Sequence, residues 1–219
     1  METRRSALIF SVAVLSSALI FFIQPIPAIG YAAEGTGDLN FISRSCRATR
    51  YPVVCYASLS RYARTIQGSP FQLARAAMAV SLSKVSKFKS RISGCLGQAE
   101  YGGDKLAASA LHDCFTNLDM AVDQIHDSIR QMRTAANNTG SVPAGGGSRE
   151  SFKFQMSNVQ TWMSAALTCE DTCTDGFEGV AKGPLKTEVS EGVEKVSQYT
   201  SNALALVNSY VDQVVGNEY

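Results

Sequence analysis

The chain has 219 residues, with 20 Lys+Arg against 19 Asp+Glu, 2 His and 6 Cys, and 45% of its side chains are hydrophobic. That apolar fraction is ordinary for a globular chain and excludes wholesale disorder. The balanced charge gives no support for nucleic-acid binding, and two histidines leave little room for His-based metal sites or His-driven catalysis.

At the N-terminus, Arg4 and Arg5 precede an apolar run from Ala7 to Ile23. Pro25, Pro27 and the small residues Ala28, Gly30, Ala32 and Ala33 follow. This order predicts a secretory signal peptide over residues 1–33, cut after Gly30, Ala32 or Ala33. An uncleaved membrane anchor is the competing reading, because the run approaches the ~18 residues at which a span becomes possible. All six cysteines (46, 55, 95, 114, 169 and 173) lie beyond this segment. In an oxidising compartment they are read first as disulfides, although counting alone leaves the pairing open. The sequon Asn137-Asn138-Thr139 marks Asn137 as a glycan acceptor, and its Gly/Ser/Pro surroundings suit an exposed loop.

Residues 38–67 predict short helices forming a hairpin, since Pro52 forbids one continuous helix. Ser69-Pro70 then reads as an N-cap followed by Pro at the first helical position. Phe71, Ala74, Met78, Leu82, Val85, Phe88, Ile92 and Leu96 recur at helical spacing, with Lys84, Lys87, Lys89 and Arg91 on the other face. The spacing predicts a helix ended by Gly94 and Gly97. After a turn and cap at Gly102-Gly103-Asp104, a second helix carries Ala107, Leu111, Cys114, Leu118, Ala121, Ile125, Ile129 and Met132, fraying over 135–138. Residues 139–148 read as a low-complexity linker. A third helix, from about Arg149, has the stripe Phe152, Met156, Val159, Met163, Ala166, Cys173 and Phe177, reaching Val180. A fourth runs from about Leu185 to Val215 on a valine repeat. No window alternates with period two, so the expected class is all-α. The expected architecture is an up-down-up-down four-helix bundle over 69–215, preceded by the hairpin.

The segment Asn158-Val159-Gln160-Thr161-Trp162-Met163-Ser164-Ala165-Ala166-Leu167-Thr168-Cys169-Glu170-Asp171-Thr172-Cys173-Thr174-Asp175-Gly176-Phe177 resembles the signature of plant pectin methylesterase inhibitors. The Cys46-to-Cys55 segment with Thr49-Arg50-Tyr51-Pro52, the Ala110-Leu111-His112-Asp113-Cys114 segment and the final Val-rich helix agree in chain order. The resemblance covers roughly residues 37–215. It implies a four-helix bundle behind an N-terminal α-hairpin, with bridges Cys46–Cys55 and Cys114–Cys173. By chain entropy the short loop would contribute about 3 kcal/mol and the long one about 4. Cys95 and Cys169 depart from the family's four-cysteine pattern. Cys169 sits one turn (~5.4 Å) before Cys173, at a different height from Cys95, which favours two free thiols over a third bridge.

The resemblance also implies a function. Such inhibitors form a one-to-one complex with pectin methylesterase, cover its pectin-binding cleft and keep wall pectin methylated. Candidate contacts are polar residues on outward faces of the second and third helices: Asn117, Gln124, Gln155, Thr161, Ser164 and Thr168. The expected location is the apoplast and cell wall, with no membrane attachment once the signal is removed. The expected form is a monomer, or a one-to-one complex with the enzyme. No cofactor or metal is expected: secretion, the lack of a nearby His and the bridging role implied for Cys173 argue against zinc at Cys169-x3-Cys173, and neither His112-Asp113 nor His126-Asp127 can form a catalytic dyad when helical neighbours diverge by about 100°. The main rival is inhibition of a cell-wall or vacuolar invertase. The sister branch with that activity carries Pro-Lys-Phe ahead of its Asp-Cys helix, where this chain has Glu100-Tyr101-Gly102-Gly103-Asp104-Lys105-Leu106. A structural wall protein that binds pectin is a third reading. A pro-region cut from a larger esterase is a fourth, disfavoured because no catalytic domain follows Tyr219.

Overall fold

The computed structural model describes residues 31–139 and 146–216, with side chains described over 36–136 and 149–216. The signal segment therefore lies outside the described residues, apart from its last backbone positions. Helix α1 (Tyr31–Arg47) ends where Thr49 Oγ1 donates to the Cys46 carbonyl at 2.8 Å. Helix α2 (Pro52–Leu59) begins with Pro52 at its first position, where a missing N–H costs nothing. A 3-10 turn (Ser60–Tyr62) and the short α3 (Ala63–Ile66) complete the hairpin region. Cys46 and Cys55 are bonded, with their Cα atoms 5.5 Å apart.

The bundle consists of α4 (Pro70–Gly102), α5 (Lys105–Thr139), α6 (Gly146–Thr172) and α7 (Pro184–Gly216). Helix α4 packs on α5 and α7, and α6 packs on the same two, closing an antiparallel ring. The fold is all-α, a four-helix bundle behind an N-terminal α-hairpin. The described residues from Gly35 onward form one compact unit. Its core collects the stripes: Met78, Val85, Phe88 and Ile92 from α4, Leu111, Leu118, Ile125 and Met132 from α5, Met156, Val159 and Met163 from α6, and Val189, Val193, Val196 and Val207 from α7. Burial of such side chains contributes roughly 1.5–3 kcal/mol each.

Caps fix two helix starts. Ser69 Oγ accepts from the Gln72 amide at 3.3 Å, and Asp104 Oδ1 accepts from the Ala107 amide at 3.1 Å. Other boundaries differ from the sequence expectation. Helix α4 passes through Gly94 and Gly97 to Gly102, because exposed mid-helix glycines cost only about 1 kcal/mol each. The stop comes at Gly103, whose left-handed φ of 75° lets its N–H reach the Ala99 and Glu100 carbonyls. Helix α5 continues to Thr139, so Asn137 falls in its last turn rather than in a loop; the Asn137 side chain lies outside the described residues. Helix α6 opens at Gly146, inside the stretch read as linker, and closes at Thr172. Cys173, Phe177 and Val180 thus leave the helix, and the backbone tightens to three-residue hydrogen bonds such as Phe177 N–H to the Thr174 carbonyl at 3.0 Å. All three side chains are still buried. The valine repeat of α7 also leaves the core late: Val211 is half-buried and Val214 exposed.

Helices α4 and α7 approach closely at Gly192. A Cβ there would overlap the Phe88 ring, so the buried ring occupies the space a side chain would need. The hairpin is clamped to the bundle by Asn202 of α7, which is almost wholly buried. Its Oδ1 accepts from the Tyr51 amide at 3.0 Å, and its Nδ2 donates to the Tyr51 carbonyl at 2.9 Å. The main-chain N–H and C=O of one residue, in the link between α1 and α2, are both held by a single side chain, and the carbonyl also accepts from the Cys55 amide at 3.0 Å.

Candidate functional face on the second and third bundle helices

Helices α5 and α6 run antiparallel in a register pinned at two levels. Cys114 is bonded to Cys173, with Cα atoms 4.0 Å apart, and Ser128 Oγ donates to the Val159 carbonyl at 3.4 Å. Moving from Cys114 to Ser128 along one helix matches moving from Cys173 back to Val159 on the other. The two helices therefore present one rigid outer face.

The sequence candidates divide on this face. Thr161, Ser164 and Thr168 are exposed and lie along the outer ridge of α6, at three- and four-residue spacing. The Thr168 hydroxyl donates to the Ser164 carbonyl at 3.2 Å, which leaves its lone pairs free to accept. Asn117, Gln124 and Gln155 are half-buried. Asn117 Nδ2 donates to the Asp113 carbonyl at 3.0 Å, and Gln155 Nε2 donates to Ser151 Oγ at 2.9 Å. The Gln155 carbonyl oxygen is buried without a partner. These three residues are less available to a docking protein than the threonine ridge.

The helical stripe did not single out three exposed apolar residues on these helices: Leu106 in the first turn of α5, Met120 and Phe154. Phe154 is 70% exposed and Met120 45%. An exposed aromatic ring beside polar hydroxyls is a common anchor of protein interfaces. The signal was legible: Phe154 falls between the core positions Phe152 and Met156, off the buried stripe.

Under this face lies Glu170, with no exposed surface. Thr200 Oγ1 of α7 donates to its Oε1 at 2.6 Å, and Thr200 lies 2.8 Å from Ser81 Oγ of α4. One polar chain thus joins three helices through the core. The second carboxyl oxygen is buried without a partner. Burial pushes the Glu170 carboxyl up to about 8, against the hydrogen bond from Thr200, and the Asp171 carboxylate adds to the rise. Cys95 and Cys169 carry free thiols, each pushed up chiefly by burial and so disfavoured as nucleophiles.

Nothing in the face assembles a reacting set among the described residues. His112 Nδ1 lies 4.0 Å from Asp113 Oδ1 and His126 Nδ1 3.7 Å from Asp127 Oδ1, beyond hydrogen-bonding reach, and all four side chains stand in solvent.

A family model described as plant invertase/pectin methylesterase inhibitor matches residues 40–206. The chain belongs to this family. It is 37% identical to the 21 kDa protein of Daucus carota over 215 residues, spanning 96% of this chain and 97% of that one. It is 36% identical to pectinesterase inhibitor 11 of Arabidopsis thaliana over 197 residues, or 90% and 92% of the two chains. Its fold is similar to the crystal structure of a mutant form of a pectin methylesterase inhibitor from Arabidopsis, with a TM-score of 0.57 at 15% identity over 76% of this chain and 95% of that one. At that identity the likeness speaks for the family's fold alone.

Proposed function

We propose that this protein is a proteinaceous inhibitor of plant pectin methylesterase and performs no chemistry of its own. The observation that carries the reading is the family match over residues 40–206, on a chain whose α5–α6 face is rigid, exposed and rich in hydroxyls. A pre-ordered face loses little conformational freedom on docking, which favours inhibition by surface complementarity. In the finer form of this proposal, residues 37–215 are the inhibitor domain and residues 1–33 are removed on secretion to the apoplast. The α5–α6 face then covers the enzyme's pectin-binding cleft in a one-to-one complex. Thr161, Ser164 and Thr168 supply the polar contacts and Phe154 an apolar anchor. The family description also names invertase. The connection Glu100–Leu106 lacks Pro-Lys-Phe, which favours the esterase.

The test is a titration of the purified mature chain against a plant pectin methylesterase and a plant acid invertase. Stoichiometric loss of esterase activity with untouched invertase is the expected result. Full invertase inhibition beside an unaffected esterase would overturn the assignment, and silence on both would favour a non-inhibitory wall protein.

A further inference from the structure

Among the described residues, a cluster of unpaired cations lies on α4, away from the α5–α6 face. A groove of about 250 Å³ runs between the hairpin's last turns and α4. Arg61 enters it from the 3-10 turn, and Arg75, Lys84 and Lys87 from α4. No acidic side chain lines it, and among the described residues none of the four cations forms an ion pair. The contrast within α4 is sharp. Lys89 and Arg91, on the same helix, are neutralised by Asp119 of α5 and Glu188 of α7.

The groove continues. A second cavity of about 150 Å³ shares Lys84 and Lys87 and adds Lys195, and ends at Arg91, which Glu188 pairs. From Arg75 to Lys87 the track of unpaired cations follows α4 for about 18 Å. Its floor is not simply apolar: Thr65, Gln72 and Ser83 offer hydroxyl and amide groups, and the rings of Tyr62 and Tyr199 flank it. The chain as a whole carries a net charge of only +1. The surplus is therefore local. Like charges brought together in one concavity repel, and an anion lying along it would relieve that repulsion.

We infer that this groove binds a linear, carboxylate-bearing galacturonan, the de-esterified stretch of pectin that the esterase leaves behind. A long track of separated cations matches a polymer with a carboxylate on each sugar, and Arg61 and Arg75 can each grip a carboxylate through two parallel N–H bonds. The hydroxyls and amide between them suit the sugar hydroxyls. The choice of uronate rests on the pectin context of the proposed function, whereas the groove itself stands on the structure. No residue of α5 or α6 lines it, so a bound polymer leaves the docking face free. The inhibitor would be held on wall that has already been demethylated, beside the enzyme still working there.

Calorimetric titration of the mature chain, without any esterase, tests this directly. The ligands are an oligogalacturonate of about ten sugars, its fully methyl-esterified counterpart, and polyglutamate of matched charge. The acidic oligosaccharide should bind and weaken with added salt, while the ester should not bind. The double variant Arg75→Gln/Lys87→Gln should lose roughly tenfold to a hundredfold in affinity, and Arg44→Gln/Arg47→Gln, which removes equal charge from α1, should keep it. Absent binding, equal binding of the ester, or equal loss in both double variants would overturn the site. Polyglutamate binding as tightly as the oligosaccharide would overturn the uronate assignment. Esterase inhibition is measured separately, so its failure leaves a different trace from failure of the groove.

Discussion

Glu170→Gln should flatten the dependence of stability on pH. The carboxyl sits near 4.5 when unperturbed and at about 8 in the folded chain. Between those values the folded state holds a proton that the unfolded state has released, so stability falls as pH rises. The stabilising effect is whole below the unfolded value and is lost on the way up to about 8. Two pH units inside that window, from about pH 5 to about pH 7, cost about 2.7 kcal/mol at 1.36 kcal/mol per unit. For a chain of this size that is a drop of roughly 5–10 °C in Tm. Gln keeps the shape and an acceptor for Thr200 but cannot titrate. Its amide nitrogen replaces the unpartnered Oε2, so the baseline of the variant is lowered. The slope, read by thermal denaturation across the same pH range, is the diagnostic quantity. A variant whose Tm falls as steeply as that of the native chain would refute the argument. The direction fits a protein proposed to work in an acidic wall, where the core acid stays neutral.

Asn202→Leu should cost about 1–3 kcal/mol in urea denaturation, because it strands the Tyr51 N–H, while the Tyr51 carbonyl keeps the Cys55 amide as a donor. Cys114→Ser should cost about 2–5 kcal/mol and lower esterase inhibition, by releasing α6 from α5 at the end of the docking face. Gly192→Ala should lower the denaturation midpoint by about 1–3 kcal/mol equivalent, since its methyl group meets the Phe88 ring. Thr161→Arg combined with Thr168→Arg should abolish inhibition while leaving Tm within a few degrees; retained inhibition would move the interface off the α6 ridge.

Periodicity made the bundle legible. Ala74, Met78, Val85, Phe88 and Ile92 are buried where three- and four-residue spacing put them. Periodicity cannot see where a helix tightens into a 3-10 turn, so Cys173 and Phe177 kept their burial but lost their helix. Glycine misled at 94 and 97, because a stop needs a left-handed residue and both carry helical backbone. The Asn202 clamp joins residues 151 positions apart and has no local signature. The basic segment of α4 read as one solvated face. Its division into paired and unpaired cations depends on Asp119, Glu188 and Arg61, each brought in by the fold. The outer ridge at Thr161, Ser164 and Thr168 followed from helical geometry, whereas the half-burial of Asn117, Gln124 and Gln155 depends on which neighbour flanks each side of a helix.

The clamp at Asn202 has an evolutionary corollary. Both of its hydrogen bonds end on main-chain atoms of Tyr51. It is therefore blind to the side chain it holds. Position 51 is free to drift, within the limits set by packing and by the Arg50 guanidinium 5.5 Å from its ring centre. Position 202 has no such latitude: only a side chain carrying both a carbonyl and an amide at that reach can serve. Variation across relatives should be lopsided, permissive at 51 and intolerant at 202, although the two residues share one contact.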